Sequence, residues 1–281
     1  MMFELIDPKT KEQISYHVDK KIIYFLEGVK NYISKRDKDY VLLIDGYEGS
    51  GKSTFAIQMG KYVDPTLDLS RICMTPEEFK EAIKNAKKGQ CVIYDEAVTG
   101  LTAGDSISKI GRVLKSMMMQ MRQKNLFVIV IMPVIFEFNK YAVLSRARFF
   151  FHIYEAKGRM GYFVGLNKKG TRITYLKGKK THSYSVRSRF NGRFYGKFGL
   201  GQSQEPLYRK KKEDALFEIG DEDEVGTTIQ RLIKERNFGL IEWNHDGASY
   251  NEIQKRAKMA GVHFSMGRLS DIIGKHLKKA V

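Results

Sequence analysis

The sequence predicts an α/β fold: a parallel sheet flanked by helices, then antiparallel β-hairpins and a small helical C-terminal domain. Three observations predict it. Short apolar runs that end in turn chemistry, "DYVLLIDG", "QCVIYDEA" and "LFVIVIMP", read as buried strands. They alternate with stretches at helical spacing, "KSTFAIQMGKYV", "TPEEFKEAIKNAKKG" and Ser106 to Lys124, and that alternation implies parallel order with helices on both faces. After Arg148 the apolar period falls to two, in "RFFFHIYEA", "MGYFVGLN", "TRITYLKG" and "HSYSVRSRF", with glycine and lysine turns between them. A chain of 281 residues that is 42% apolar buries one sizeable core and a small second one.

Taken in order, residues 1–38 read as an N-terminal helical segment, because Ile14, Val18, Ile22, Ile23, Leu26, Val29 and Ile33 keep one helical face over 10–34. Residues 39–154 hold the strand–helix core. Thr75 caps the helix that follows it, with Pro76 in first position, two glutamates in the first turn and Gly89 as the stop. Residues 155–200 form the basic hairpin region, 201–224 an acidic linker around "KEDALFEIGDEDE", and 225–281 a helical domain.

Nothing near the amino terminus has the length of a secretory apolar core, and Glu4 and Asp7 interrupt it early. The longest apolar run, Leu126 to Phe136, contains Pro133 and is too short to span a bilayer as a helix. A soluble, intracellular, cytoplasmic protein is expected, in the host cytoplasm if the source is viral. Cys73 and Cys91 cannot form a disulfide framework and read as reduced structural thiols. The six dispersed histidines show no metal-ligand spacing, and the cluster "SMMMQM" reads as helix packing.

Between the first core strand and its helix lies "DGYEGSGKST", in which Gly46 to Ser53 fits G-x-x-x-x-G-K-[ST] at every fixed position. Chance gives such a match in roughly one chain of this length per hundred, so a plain surface turn is the weaker reading. Glycines let successive N–H groups face phosphate oxygens, and the following helix aims its positive end at the same anion. Gly46, Tyr47, Glu48, Gly49, Ser50, Gly51, Lys52, Ser53 and Thr54 are the expected cradle for ATP. Lys52 would reach the β and γ phosphates, and the Ser53 hydroxyl would ligate Mg²⁺. "CVIYDEA" supplies the acids at a strand end: Asp95 for the Mg²⁺ shell and Glu96 as general base for the attacking water. The alternative for this pair is a cap on the next segment.

GYEGSGKS together with VIYDE resembles the additional-strand, catalytic-glutamate branch of P-loop ATPases, which implies a RecA-like P-loop NTPase sheet and ATP hydrolase activity. The element order through residue 154 resembles the DNA-pumping motors, including FtsK and HerA translocases and viral packaging ATPases. The basic "LSRARFFFH" resembles virus and mobile-element ATPases of the packaging or zonula occludens toxin-like kind. Those families carry a polar sensor where this strand ends in Met132 and Pro133, and Asn139 is the substitute candidate. The resemblance also implies a homo-oligomeric ring, in which an arginine from the neighbour completes each site, with Arg146 and Arg148 as candidates and Arg122 third. No carboxylate cluster follows residue 150 to make a metal nuclease.

Lys and Arg number 49 against 32 acids, a formal +17, which predicts a polyanionic partner. Arg146 to Leu200 holds 14 basic residues and the single acid Glu155, a net +13. "SVRSRFNGRFYGKFGLG" interleaves cations with aromatic rings, either to hold phosphates and stack on bases or as a hairpin with aromatics inward and charges outward. "SYNEIQKRAKMAGVHFSMGRLSDIIGKHLKK" reads as helix, turn at Gly261 and second helix, either a DNA-reading helix-turn-helix presenting His263, Arg268 and Lys275 or a docking domain. Gly267 departs from the former pattern.

The leading expectation is an ATP-dependent motor on nucleic acid, double-stranded DNA first, with a viral or mobile-element assembly partner. The alternatives are a DNA-binding assembly switch with slow hydrolysis and, last, a small-molecule kinase.

Overall fold

The computed structural model describes residues 1–95, 115–117, 119–156, 158–195, 197–215, 240, 243–244, 246–259 and 265–277. The chain divides into two compact units, Met1–Leu216 and Phe217–Val281.

The first unit opens with an antiparallel pair, β1 (Met2–Ile6) and β2 (Gln13–His17), where a helix is expected from the spacing of Ile14, Val18 and Ile22. An interval of four residues suits a strand as well as a helix, since it is also a multiple of two. In β2 the burial alternates, with Ile14 and Tyr16 inward. Helix α1 (Lys20–Arg36) starts only after Asp19, whose side chain accepts a hydrogen bond from the Lys21 N–H, and it buries Ile22, Leu26, Val29 and Ile33.

Among the described residues seven strands form one sheet, with β3 (Tyr40–Gly46), β4 (Ile72–Cys73), β5 (Cys91–Asp95), β6 (Phe127–Ile131), β7 (Ala147–Ala156), β8 (Arg159–Asn167) and β9 (Phe190–Arg193) in the order β4-β5-β6-β3-β7-β8-β9. Every pair from β4 to β7 is parallel, whereas β8 and β9 are antiparallel additions. The parallel strands read as continuous apolar runs because both faces are covered. Helices α2 (Lys52–Val63) and α3 (Pro76–Asn85) belong to these layers, and Thr75 caps α3 by accepting from the Glu78 N–H. This is a RecA-like α/β domain: β6 lies between the strand that carries the glycine turn and the strand that ends in Asp95.

Only the last part of the helix expected over Ser106 to Lys124 lies in the described residues, and there Met117 and Met121 are buried in the core. Cys73 and Cys91 are free and buried; burial pushes the Cys73 thiol up to about 12. Two expected strands are absent from the described residues. "TRITYLKG" is helical, in α4 (Lys168–Ile173) and the π-turn Thr174–Gly178, because Asn167 caps it and the Thr171 hydroxyl donates to the Leu166 and Asn167 carbonyls. "HSYSVRSRF" becomes strand only at Phe190. The start of the expected linker is also ordered: residues 205–215 are helical, with Tyr208 and Ala215 buried.

The second unit contains α5 (Tyr250–Met259) and α6 (Met266–Leu277) around Leu240, Ile253, Ala257, Leu269 and Ile273. Ser249 and Glu252 form a reciprocal capping box at α5. Ala257 is buried and Gly267 is exposed, while Gly261 and His263 lie outside the described residues. Among the described residues no helix is long and apolar enough to cross a membrane.

Candidate nucleotide site

Parallel α/β sheets place sites beyond the carboxyl ends of their strands, and β3, β5 and β6 end together here. Asp95 is level with Ile131, which is level with Ile44, so Asp95 and the start of the glycine turn lie two strands apart, about 10 Å at ordinary strand spacing.

The turn itself needs its glycines. Gly46 has φ 146°, and a Cβ there would lie 2.2 Å from the Ile153 carbonyl oxygen. Gly51 has φ 93° and is the N-cap of α2, yet it has no side chain to accept the first-turn N–H groups. Those donors stay available to an anion. The Ser50 hydroxyl, buried and without a hydrogen-bond partner among the described residues, is a second unused group in the loop. Lys52 turns its Nζ back to donate to the carbonyls of Gly46 at 2.6 Å and Tyr47 at 2.8 Å. Burial holds its pKa below the ordinary lysine value, with Asp95 and Asp45 pulling the other way. Tyr47, Glu48 and Gly49 are exposed at the loop tip, while Ser53 and Thr54 are half-buried in the first turn of α2.

Asp95 is 2% exposed at the end of β5. Its Oδ2 accepts a 2.5 Å hydrogen bond from the Tyr208 hydroxyl. Lys52 and Ser53 open α2 directly after the β3 turn and Asp95 ends β5, so all three lie at the same edge of the sheet. Glu96 lies outside the described residues.

Sequence reasoning missed two features. Asp45, fully buried beneath the loop, accepts from Ile135 N–H at 3.0 Å and the Tyr184 hydroxyl at 2.6 Å, and pairs with His152 Nδ1 at 2.7 Å. The His152 and Tyr184 rings stack at 3.8 Å, so the strand end beside Gly46 is fixed from three sides. Tyr208 is the other. Charge in "YRKKKED" masked its apolar neighbours Phe198 and Leu200, and a ring amid charges was the available signal.

Asn139 accepts from the Tyr141 and Ala142 N–H groups, so its side-chain oxygen caps a turn. Arg146 is paired with Asp39, just before β3, and Arg148 lies 5.1 Å from the Tyr32 ring centre, both at the strand end opposite the glycine turn. Arg122 is exposed. In the basic stretch, Phe194 stacks on Phe55 at 4.6 Å, Phe190 on Phe149 at 5.6 Å, and Phe198 packs on Tyr208. Those rings are not free for bases; Arg187, Arg189 and Lys197 face outward.

The cradle fits a triphosphate by its uncapped helix start and orphan Ser50 hydroxyl, and Ser53 with Asp95 is a hard-oxygen pair suited to Mg²⁺. No protein-family model matches the chain, and no curated protein matches it. Among solved structures it is similar to the N-terminal domain of zonular occludens toxin from Neisseria meningitidis, at 16% identity and a TM-score of 0.36, covering 57% of this chain and 95% of that one.

Proposed function

We propose that this protein is a Mg²⁺-dependent P-loop ATPase that works on nucleic acid, double-stranded DNA first, as a homo-oligomer. The observation that carries the reading is the convergence of Lys52, Ser53 and Asp95 at strand ends separated by the inserted β6. The first-turn N–H groups of α2 hold the phosphates, and Lys52 exchanges its two carbonyl partners for β and γ oxygens. Ser53 and Asp95 would hold Mg²⁺, which when bound would supply charge neutralisation on those oxygens. Glu96 follows Asp95 directly and is the proposed base that orients and deprotonates water.

The exposed cations of the +13 block favour a polyanion over a small metabolite. DNA translocation of the FtsK, HerA or packaging kind, with a viral or mobile-element assembly partner, is the finer proposal. Arg148, held by an aromatic face, is a better candidate for reaching a neighbour's site than Arg146, which is tied to a carboxylate. The test is ATP hydrolysis by the wild type, Lys52→Ala, Glu96→Gln and Arg148→Ala, with and without double- and single-stranded DNA. Turnover stimulated by double-stranded DNA, and reduced at least about a hundredfold in each variant, supports the motor. Near-zero wild-type turnover with nucleotide-dependent DNA binding selects the slow switch instead.

A further inference from the structure

The segment that leaves β9 does not run off the molecule. Phe194 lies against Gly51, 3.1 Å from where a Cβ would stand, and stacks on Phe55 of α2. Gln58 of α2 donates to the carbonyls of Tyr195 and Lys197, both at 2.8 Å. Glu12 then accepts from the Gln202 N–H at 2.6 Å, the Ser203 N–H and the Ser203 hydroxyl. Beyond Tyr208, Lys211 donates to the carbonyls of Leu69 and Ile72 and pairs with Glu78 at 3.1 Å. Residues 197–215 are therefore a strap pinned on both sides of Tyr208.

At its middle, Tyr208 is 7% exposed, and its hydroxyl donates to Asp95, one of the two groups assigned above to the metal. A phenol oxygen 2.5 Å from Asp95 Oδ2 takes the place at that carboxylate oxygen that a cation or its bound water would occupy. Its proton occupies an Asp95 lone pair that the ion or its water shell needs.

Resting on the nucleotide reading, we infer that the strap is a built-in gate and Tyr208 its bolt: Mg²⁺–nucleotide binds only as the phenol leaves Asp95. Nucleotide without metal uses the glycine turn and Lys52 and does not require that departure.

The test is titration of the full chain with N-methylanthraniloyl-ADP, in Mg²⁺ and separately in EDTA, for the wild type, Tyr208→Phe and Glu12→Ala. Tyr208→Phe keeps the ring on Phe198 and removes only the hydroxyl. It is expected to tighten binding in Mg²⁺ roughly tenfold while leaving the EDTA value unchanged. Glu12→Ala releases the strap far from the site and is expected to tighten binding in Mg²⁺ in the same direction. If Tyr208→Phe leaves the Mg²⁺ affinity unchanged or weakens it, the hydroxyl is no bolt and the inference is overturned. If Glu12→Ala has no effect in Mg²⁺, the strap is not the moving element. Wild type and Tyr208→Phe that bind no nucleotide in either condition overturn the function proposed above, an outcome distinct from both.

Discussion

Single residues hold the site's foundation in ways that burial makes sharp. Lys61 of α2 is fully buried and pairs with Asp7 at 2.5 Å, joining the glycine-turn helix to the loop between β1 and β2. Burial alone would raise the Asp7 pKa, but the Lys61 ammonium and the N–H groups of Thr10 and Lys9 outweigh it and the net shift is downward. A carboxylate lowered in the folded state contributes its full stability above its unfolded pKa, about 4. That contribution fades as pH falls from there through the folded value. Asp7→Asn should therefore lose about 3–5 kcal/mol at neutral pH by stranding the Lys61 charge, and should show a smaller further loss below pH ~4 than the wild type. Urea denaturation across pH measures both; unchanged neutral stability in the variant contradicts the assignment. At this scale the sequence was legible where chemistry constrains spacing: Gly46, Gly51, Lys52 and Ser53 make the turn from β3 into α2, and Asp95 ends β5 at the same edge of the sheet. The Asp45, His152 and Tyr184 cluster was not legible, because its members lie on different elements and only β3–β7 register brings Asp45 opposite His152.

Elements were readable where pattern and cap agreed. Helix α3 follows its Thr75, Pro76 and glutamate signals, and β3, β5 and β6 follow their apolar runs. They were misread where a short alternation fitted two periods, as in β2, or where a local cap overrode the alternation, as at Asn167. The basic stretch divides the same way: its phenylalanines complete the aromatic core around Phe55, and its cations are left on the surface. If that surface meets nucleic acid as proposed, its phosphate contact would rest on charge, with the exposed Tyr195 as a ring left for stacking. Replacing Arg187 and Arg189 together by Gln should leave thermal stability within about 0.5 kcal/mol. The slope of log K for DNA against log salt should flatten by about 1 for each arginine that touches phosphate. An unchanged slope, measured by fluorescence anisotropy over a salt series, removes this face from the interface.

For the whole molecule, charge and architecture point the same way. The +17 surplus is concentrated after Arg146, and the RecA-like sheet places the candidate nucleotide site in the first unit, while the second keeps its own small core. Composition anticipated a second core but not the strap, since charge around Lys212 resembled a solvated linker whereas Tyr208 and Lys211 are spent on core contacts. Everything proposed about motion, oligomers and DNA depends on one claim, that the glycine turn and Asp95 hold a magnesium nucleotide. Calorimetric titration of the intact chain and of Lys52→Ala with ATP and Mg²⁺ tests it most directly. The expected result is saturable one-site binding by the wild type, weakened at least tenfold in the variant, as the loss of a charged hydrogen-bond partner requires. Equal affinity in the two proteins, or no binding by the wild type at millimolar nucleotide, would contradict it.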